Sequence, residues 1–256
     1  MLLRLIGKWL NAGVVEGLEL SYSDEGTPQG GVISPLLANI YLHEVLDGWF
    51  ARDILPALTG HAEMFRFADD FAVLFESKDD AERFLAVLPK RFGKYGLTLH
   101  PNKTRMVAFR NPERVDDDDD GPDTFNFLGF THYWGLSRKP APKGTPRVKR
   151  WFAMQKTAKD RLSRTLRRLY EWCRWHRHDP LETQHLTLVN KLEGHYNYYG
   201  ITGNFPALAK VHYAATRLWR KALARRSQQR LPWAKMSRIL ERFPLPRPHI
   251  VHRYGT

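Results

Sequence analysis

The run FRFADDFAVLF, residues 65 to 75, sets two adjacent acids, Asp69 and Asp70, inside a stretch whose other side chains are mostly aromatic or aliphatic. Such residues favour strands packed on a core, whereas paired aspartates favour a turn. Both demands are met if residues 63 to 67 and 71 to 75 are strands joined at Ala68-Asp69-Asp70. Phe65, Phe67, Phe71, Val73 and Phe75 are too apolar for a freely solvated hairpin, so the turn is expected to sit on a rigid platform. Two carboxylates held that way suit Mg2+, a hard cation that takes a few carboxylate oxygens and completes its octahedron with water and phosphate.

The chain of 256 residues, 43% hydrophobic, is long enough for one large domain or two modest ones. Its net charge of +13 is unevenly placed. Residues 1 to 130 carry 13 Lys and Arg against 21 Asp and Glu, whereas residues 131 to 256 carry 27 against 6. Six of the eight tryptophans also fall after residue 130. Cations interleaved with large rings suit phosphate contacts plus stacking on unpaired bases, so the second half is expected to bind nucleic acid. The single Cys173 excludes a disulfide framework and a thiolate zinc cluster and points to a reducing, cytoplasmic compartment. Leu2, Leu5, Ile6 and Trp9 fall at helical spacing around Arg4 and Lys8, an amphipathic helix and not a signal peptide. No apolar stretch approaches the ~20 residues of a membrane span.

Ser34-Pro35 reads as a helix start, Ser capping and Pro at the first position, followed by a segment apolar on most sides that is expected to be buried. Ser77 caps a second helix with Ala81, Phe84, Leu85 and Leu88 on one face and Gly96 at its end. Strands are expected from Leu97 and around Met106 to Phe109. Asp116 to Asp120 reads as a surface loop, and the Pro, Gly and basic residues between 135 and 150 as a domain boundary. From 151 to 242 the chain is expected to be helical. One stripe runs through Ala158, Leu162, Leu166, Leu169 and Cys173, and further stripes through Leu188, Leu192 and Tyr196 and through Leu208, Val211, Ala215 and Leu223. The proline-rich residues 243 to 256 should run extended.

Five motifs in order, GTPQGGVISPLLANIYL (26 to 42), FADD (67 to 70), GLTLHPNKT (96 to 104), FLGF (127 to 130) and LVNKLEGHYNYYG (188 to 200), resemble the reverse transcriptases, or maturases, encoded by group II introns. The resemblance implies an α+β chain: a partial reverse-transcriptase palm over 1 to 134, a linker over 135 to 150, and an all-α basic thumb and maturase bundle over 151 to 242. It implies that Asp69 and Asp70 ligate Mg2+, with Phe67 in place of the family's tyrosine. Gln29, Gly30 and Gly31 would lie against template and nucleotide, and Lys103 would approach the triphosphate of an incoming dNTP. Leu128 and Gly129 would form a primer grip. Arg164, Arg167, Arg168 and Tyr199 would contact RNA. The implied partners are intron RNA, a primer-template and dNTPs, in the cytoplasm of a bacterial type of cell, with no membrane. The resemblance further implies a third metal-binding aspartate upstream of the GTPQGG loop, in a segment expected to be missing here. The expectation is that the chain alone extends a primer poorly and needs an N-terminal polypeptide or a second copy. The other reading is a maturase that binds intron RNA and assists splicing without polymerising.

Overall fold

The computed structural model describes residues 2–10, 14–16, 19–21, 33–114, 123–136, 151–226 and 230–253. Helices mix with small antiparallel sheets, an α+β arrangement, in two compact units that divide between Met106 and Val107. Residues 22–32 and the acidic run 116–120 lie outside the described residues.

In the first unit, α1 (Leu2–Leu10) precedes a short antiparallel ladder of β1 (Val14–Glu16) and β2 (Glu19–Ser21). Helix α2 (Ser34–Leu42) runs on through two π-helical segments, His43–Asp47 and Phe50–Ile54. Strands β3 (Ala62–Phe67) and β4 (Asp70–Phe75) pair in register from Ala62↔Phe75 to Phe67↔Asp70, and α3 (Lys78–Lys94) follows. The core gathers Val45, Leu46, Trp49 and Phe50 against Ala62, Phe84, Leu88 and Phe92. Phe84 is its hinge: its ring lies 5.9 Å from Trp49, 5.7 Å from Phe50 and 5.4 Å from Phe75. The Ser77 side chain accepts from the Asp80 amide as the α3 cap. Asp80 itself is buried and accepts from the Gly60 amide at 2.9 Å and the Thr59 amide and hydroxyl at 3.0 Å, with Arg83 beside it. These donors, the Gly60 amide foremost, hold its carboxyl below the ordinary carboxylate range.

Three local expectations change. Helix α2 is not buried: Leu36 and Ile40 are each 56% exposed, and the core begins only at Val45. Ser34 stands inside the helix with no capping bond; the N-cap is Ile33. Residues 97–111 form no strand: the Asp123 amide donates to the Ala108 carbonyl at 3.1 Å and the Phe109 ring lies 5.0 Å from Phe125, but no strand ladder is built there among the described residues.

In the second unit, β5 (Phe125–Phe127), β6 (Phe130–Leu136) and β7 (Trp151–Thr157) form one antiparallel sheet. Residues 151–157 are thus strand where helix was expected. They pair with β6 along its whole length, from Phe130↔Thr157 to Leu136↔Trp151, and cross-strand pairing outweighs weak helical periodicity. Of the expected boundary segment 135–150, Gly135 and Leu136 end β6 and residues 137–150 lie outside the described residues, with the flanking strands paired to each other. Helices α4 (Lys159–Trp175), α5 (Leu181–Tyr199), α6 (Phe205–Ala224) and α7 (Trp233–Arg242) then enclose a core of Leu169, Cys173, Leu188, Leu192, Leu208 and Trp219 with their neighbours. The stripes read from the sequence supply that core. Asn204, buried, accepts from the Thr157 amide at 2.9 Å and donates to the Thr157 hydroxyl and the Tyr199 carbonyl at 2.8 Å, tying sheet to helices. The tail runs extended across α5: Tyr196 donates to the Pro246 carbonyl and Ile201 bridges His252.

His195 on α5 is buried, and its Nε2 has no hydrogen-bond partner among the described residues. Burial pushes its pKa from 6.5 down to about 4. The unfolded chain takes up this proton below pH 6.5, whereas the folded chain resists it until about 4, so stability is full above 6.5 and falls as the pH drops through that window. The expected loss is roughly 3 kcal/mol by pH 4. Urea unfolding across this range should show that slope in the wild type and a shallower one in His195→Phe.

Candidate functional site

The β3–β4 hairpin turns in two residues, Ala68 and Asp69. Ala68 has φ +54°, the left-handed region that such a turn needs at its first central position and that glycine fills more easily. What holds alanine there is Arg66. Its Nη1 donates to the Ala68 carbonyl at 2.9 Å and to Asn39 Oδ1 at 2.9 Å. Its Nε and Nη2 grip both oxygens of Asp47, in the first π-helical segment, at 2.7 and 2.6 Å. A planar guanidinium meeting a carboxylate through two parallel bonds fixes orientation as well as distance. The hairpin tip is therefore tied to α2 and its π continuation.

Strand alternation places Met64 and Arg66 on the packed face of β3, with Phe65 and Phe67 on the open face. Asp70, opposite Phe67 in register, shares that open face, and Asp69 stands at the tip. Both carboxylates are exposed, beside an apolar surface of Phe65 at 48%, Phe67 at 67% and Leu74 at 45% exposure. Adjacent hard oxygen donors with open space around them match the way Mg2+ is held, by one or two carboxylates plus phosphate and water. Among the described residues no group of three or more His, Cys, Asp or Glu is placed to hold a metal. Lys103 is exposed in the turn that begins at His100, whose carbonyl accepts from the Lys103 amide at 3.1 Å. Gln29, Gly30 and Gly31 lie outside the described residues.

In the second unit Leu128 and Gly129 make the two-residue β5–β6 turn, with φ +48° and +79°. The space above Gly129 is occupied by Tyr199, whose hydroxyl would stand 2.9 Å from any added Cβ. Tyr198 donates to the Leu128 carbonyl at 2.8 Å, and both tyrosine rings pack on Phe130, at 5.7 and 5.2 Å. The FLGF turn is thus gripped by α5 of its own chain. Tyr199 is half-buried, and its phenol pKa is raised, chiefly by burial. Arg164, Arg167 and Arg168 are exposed on α4, with Arg164 at 4.0 Å from Asp160.

Sequence reasoning missed Arg66 and Asp47 as a pair. The signal was present: arginine at an inward-facing position of an apolar strand demands a buried anion. The Arg66 hydrogen bonds, foremost among the causes, hold the Asp47 carboxyl below its ordinary range. The stability this contributes is present above the ordinary carboxylate pKa and is lost as the pH falls through the lowered one. Arg66→Met should cost about 2 kcal/mol and weaken that acid-side dependence, which chemical unfolding between neutral and acid pH would measure.

A family model for reverse transcriptase (RNA-dependent DNA polymerase) matches residues 2–132. Over 42 residues the chain is 57% identical to the group II intron-encoded protein LtrA of Lactococcus lactis subsp. cremoris, covering 16% of this chain and 7% of that protein. Over 43 residues it is 51% identical to an uncharacterized 91 kDa protein in the cob intron of Schizosaccharomyces pombe, covering 17% of this chain and 5% of that one. The matched stretches thus span a small part of either relative. The family match runs through both the aspartate hairpin and the FLGF turn and takes in half of the sequence, so the chain belongs to the reverse transcriptase (RNA-dependent DNA polymerase) family.

Proposed function

We propose that this protein is the polymerase segment of a group II intron-encoded reverse transcriptase, joined to a helical unit that binds intron RNA and serves splicing and retrohoming. The observation that carries the proposal is the exposed aspartate pair at the tip of a hairpin whose turn is fixed by Arg66. In this reading residues 1 to 134 are palm, 135 to 150 linker, and 151 to 242 thumb and maturase domain. Asp69 and Asp70 hold Mg2+. When bound, Mg2+ would supply activation of a primer 3′ hydroxyl and neutralisation of the triphosphate charge. Gln29, Gly30, Gly31 and Phe67 position template and nucleotide, and Lys103 meets the phosphates of the dNTP. Leu128 and Gly129 present the turn to the primer, with the Tyr199 hydroxyl at its edge. Arg164, Arg167 and Arg168 neutralise RNA phosphates. A cytoplasmic, nucleic-acid-associated protein fits these partners, and among the described residues no helix is long and apolar enough to cross a membrane.

The second reading, an RNA-binding maturase that assists splicing only, draws on the exposed cations of α4, which need no aspartate to act. Primer extension on an RNA template with Mg2+ and dNTPs separates the two. The assay is run on the chain alone and with a polypeptide carrying the family's upstream aspartate segment. Templated product in either arm supports the polymerase. Tight intron binding and faster splicing with no product in both arms supports the second reading and overturns the first.

A further inference from the structure

We propose that a basic cleft at the C-terminal half of α6 is a site for single-stranded RNA, seating one phosphate and stacking the adjoining base. The inference rests on the reading of the helical unit as RNA-binding and locates a contact apart from α4. The cleft, about 510 Å3, is lined by Arg217, Arg220, Lys221 and Arg230 with Leu218 and Leu231, and among the described residues no acidic side chain lines it. Arg217 and Lys221, four residues apart on one helix face, repel each other, and an anion between them relieves this.

Arg220 is fixed in place before any ligand arrives. Its Nη1 donates to the Leu231 carbonyl at 2.8 Å, and its guanidinium lies 4.4 Å from the centre of the Trp233 ring. Its Nε is buried and has no acceptor among the described residues. The exposed donors of Arg217, Lys221 and Arg230 around this fixed guanidinium lack an anion among the residues lining the cleft, and a phosphate oxygen is the acceptor that suits them. Two aromatic rings flank the cations: Trp233 is 46% exposed and Tyr213 is 59% exposed. The Arg217 guanidinium sits 5.3 Å from the Tyr213 ring centre. Cations that track phosphate beside open rings that accept bases are the recognition chemistry of unpaired strands. Duplex bases are already stacked and would leave the rings unused.

The test uses the full chain and a fluorescein-labelled oligouridylate, read by anisotropy over a range of salt. The combined variant Arg217→Gln, Lys221→Gln and Arg230→Gln changes exposed side chains only. It should weaken binding about tenfold or more and lower the slope of log affinity against log salt by about 0.7, as expected for one lost single-strand phosphate contact. Trp233→Ala should weaken binding about tenfold with the slope unchanged, and Trp233→Phe should restore most of it. Photocrosslinking of a 4-thiouridine oligonucleotide to the unaltered protein, mapped by mass spectrometry, should mark Trp233 or Tyr213 and needs no variant to fold. Unchanged affinity and slope in the cleft variant, while Arg164→Gln, Arg167→Gln and Arg168→Gln together weaken binding, would overturn this site and leave the RNA-binding reading standing. If both triple variants bind as the wild type does, the RNA-binding reading itself fails. Uridine monophosphate displacing the oligonucleotide at its own site-for-site affinity would assign the cleft to free nucleotides and overturn the RNA assignment.

Discussion

Asp69→Ala is expected to lower primer extension about a thousandfold while leaving RNA affinity within about twofold. The loss is the equivalent of about 4 kcal/mol of transition-state stabilisation, the scale on which one hard oxygen donor at a metal-assisted phosphoryl transfer acts. The structure separates this effect from unfolding. Asp69 is exposed at a turn whose geometry is held by Arg66 through the Ala68 carbonyl, so removing its carboxylate should move stability by no more than about 0.5 kcal/mol. Single-turnover extension, together with Mn2+ titration of the variant, checks both halves. Full extension by Asp69→Ala would remove the aspartate pair from the chemistry. Arg66→Met complements it, since it leaves both aspartates in the sequence and releases the turn that presents them together with its ties to Asp47 and Asn39.

Trp219→Ala should cost about 4 to 5 kcal/mol and lower the thermal midpoint of the helical unit by roughly 10 °C or more. Trp219 is fully buried on α6, and its indole Nε1 donates to Gln184 Oε1 at 2.7 Å. Gln184 is also buried and spends its amide on the His176 and Asp179 carbonyls, so one substitution leaves a cavity and an orphaned acceptor together. Trp219→Phe keeps most of the volume but not the donor and should cost about 2 kcal/mol. The difference between the two, read by circular dichroism melts, separates packing from hydrogen bonding. A midpoint shift of a degree or two for Trp219→Ala would show that α6 is not the spine of this unit.

The helices of the second unit were legible because their apolar residues recur at a period that can only be one face: Leu188, Leu192 and Tyr196 are all fully buried. The aspartate hairpin was legible for a related reason, since strand and turn preferences change sharply at Ala68. Where sequence reading failed, the deciding partner was distant in the chain. Residues 151–157 became strand by pairing with β6, whereas 97–111 formed no ladder among the described residues.

Residue order alone is enough for the pieces whose information is local: the helix stripes, the turn that carries Asp69 and Asp70, the charge divided between the halves, and the ordered motifs of the family. Only the tertiary structure decided how Arg66 joins Asp47 and Asn39 to the turn, that Tyr199 fills the space over Gly129, and that Arg220 stands between Trp233 and the Leu231 carbonyl. Hydrogen bonds and ring contacts act over a few ångströms in space, and chain folding, not sequence distance, brings residues 39, 47 and 66 within that reach.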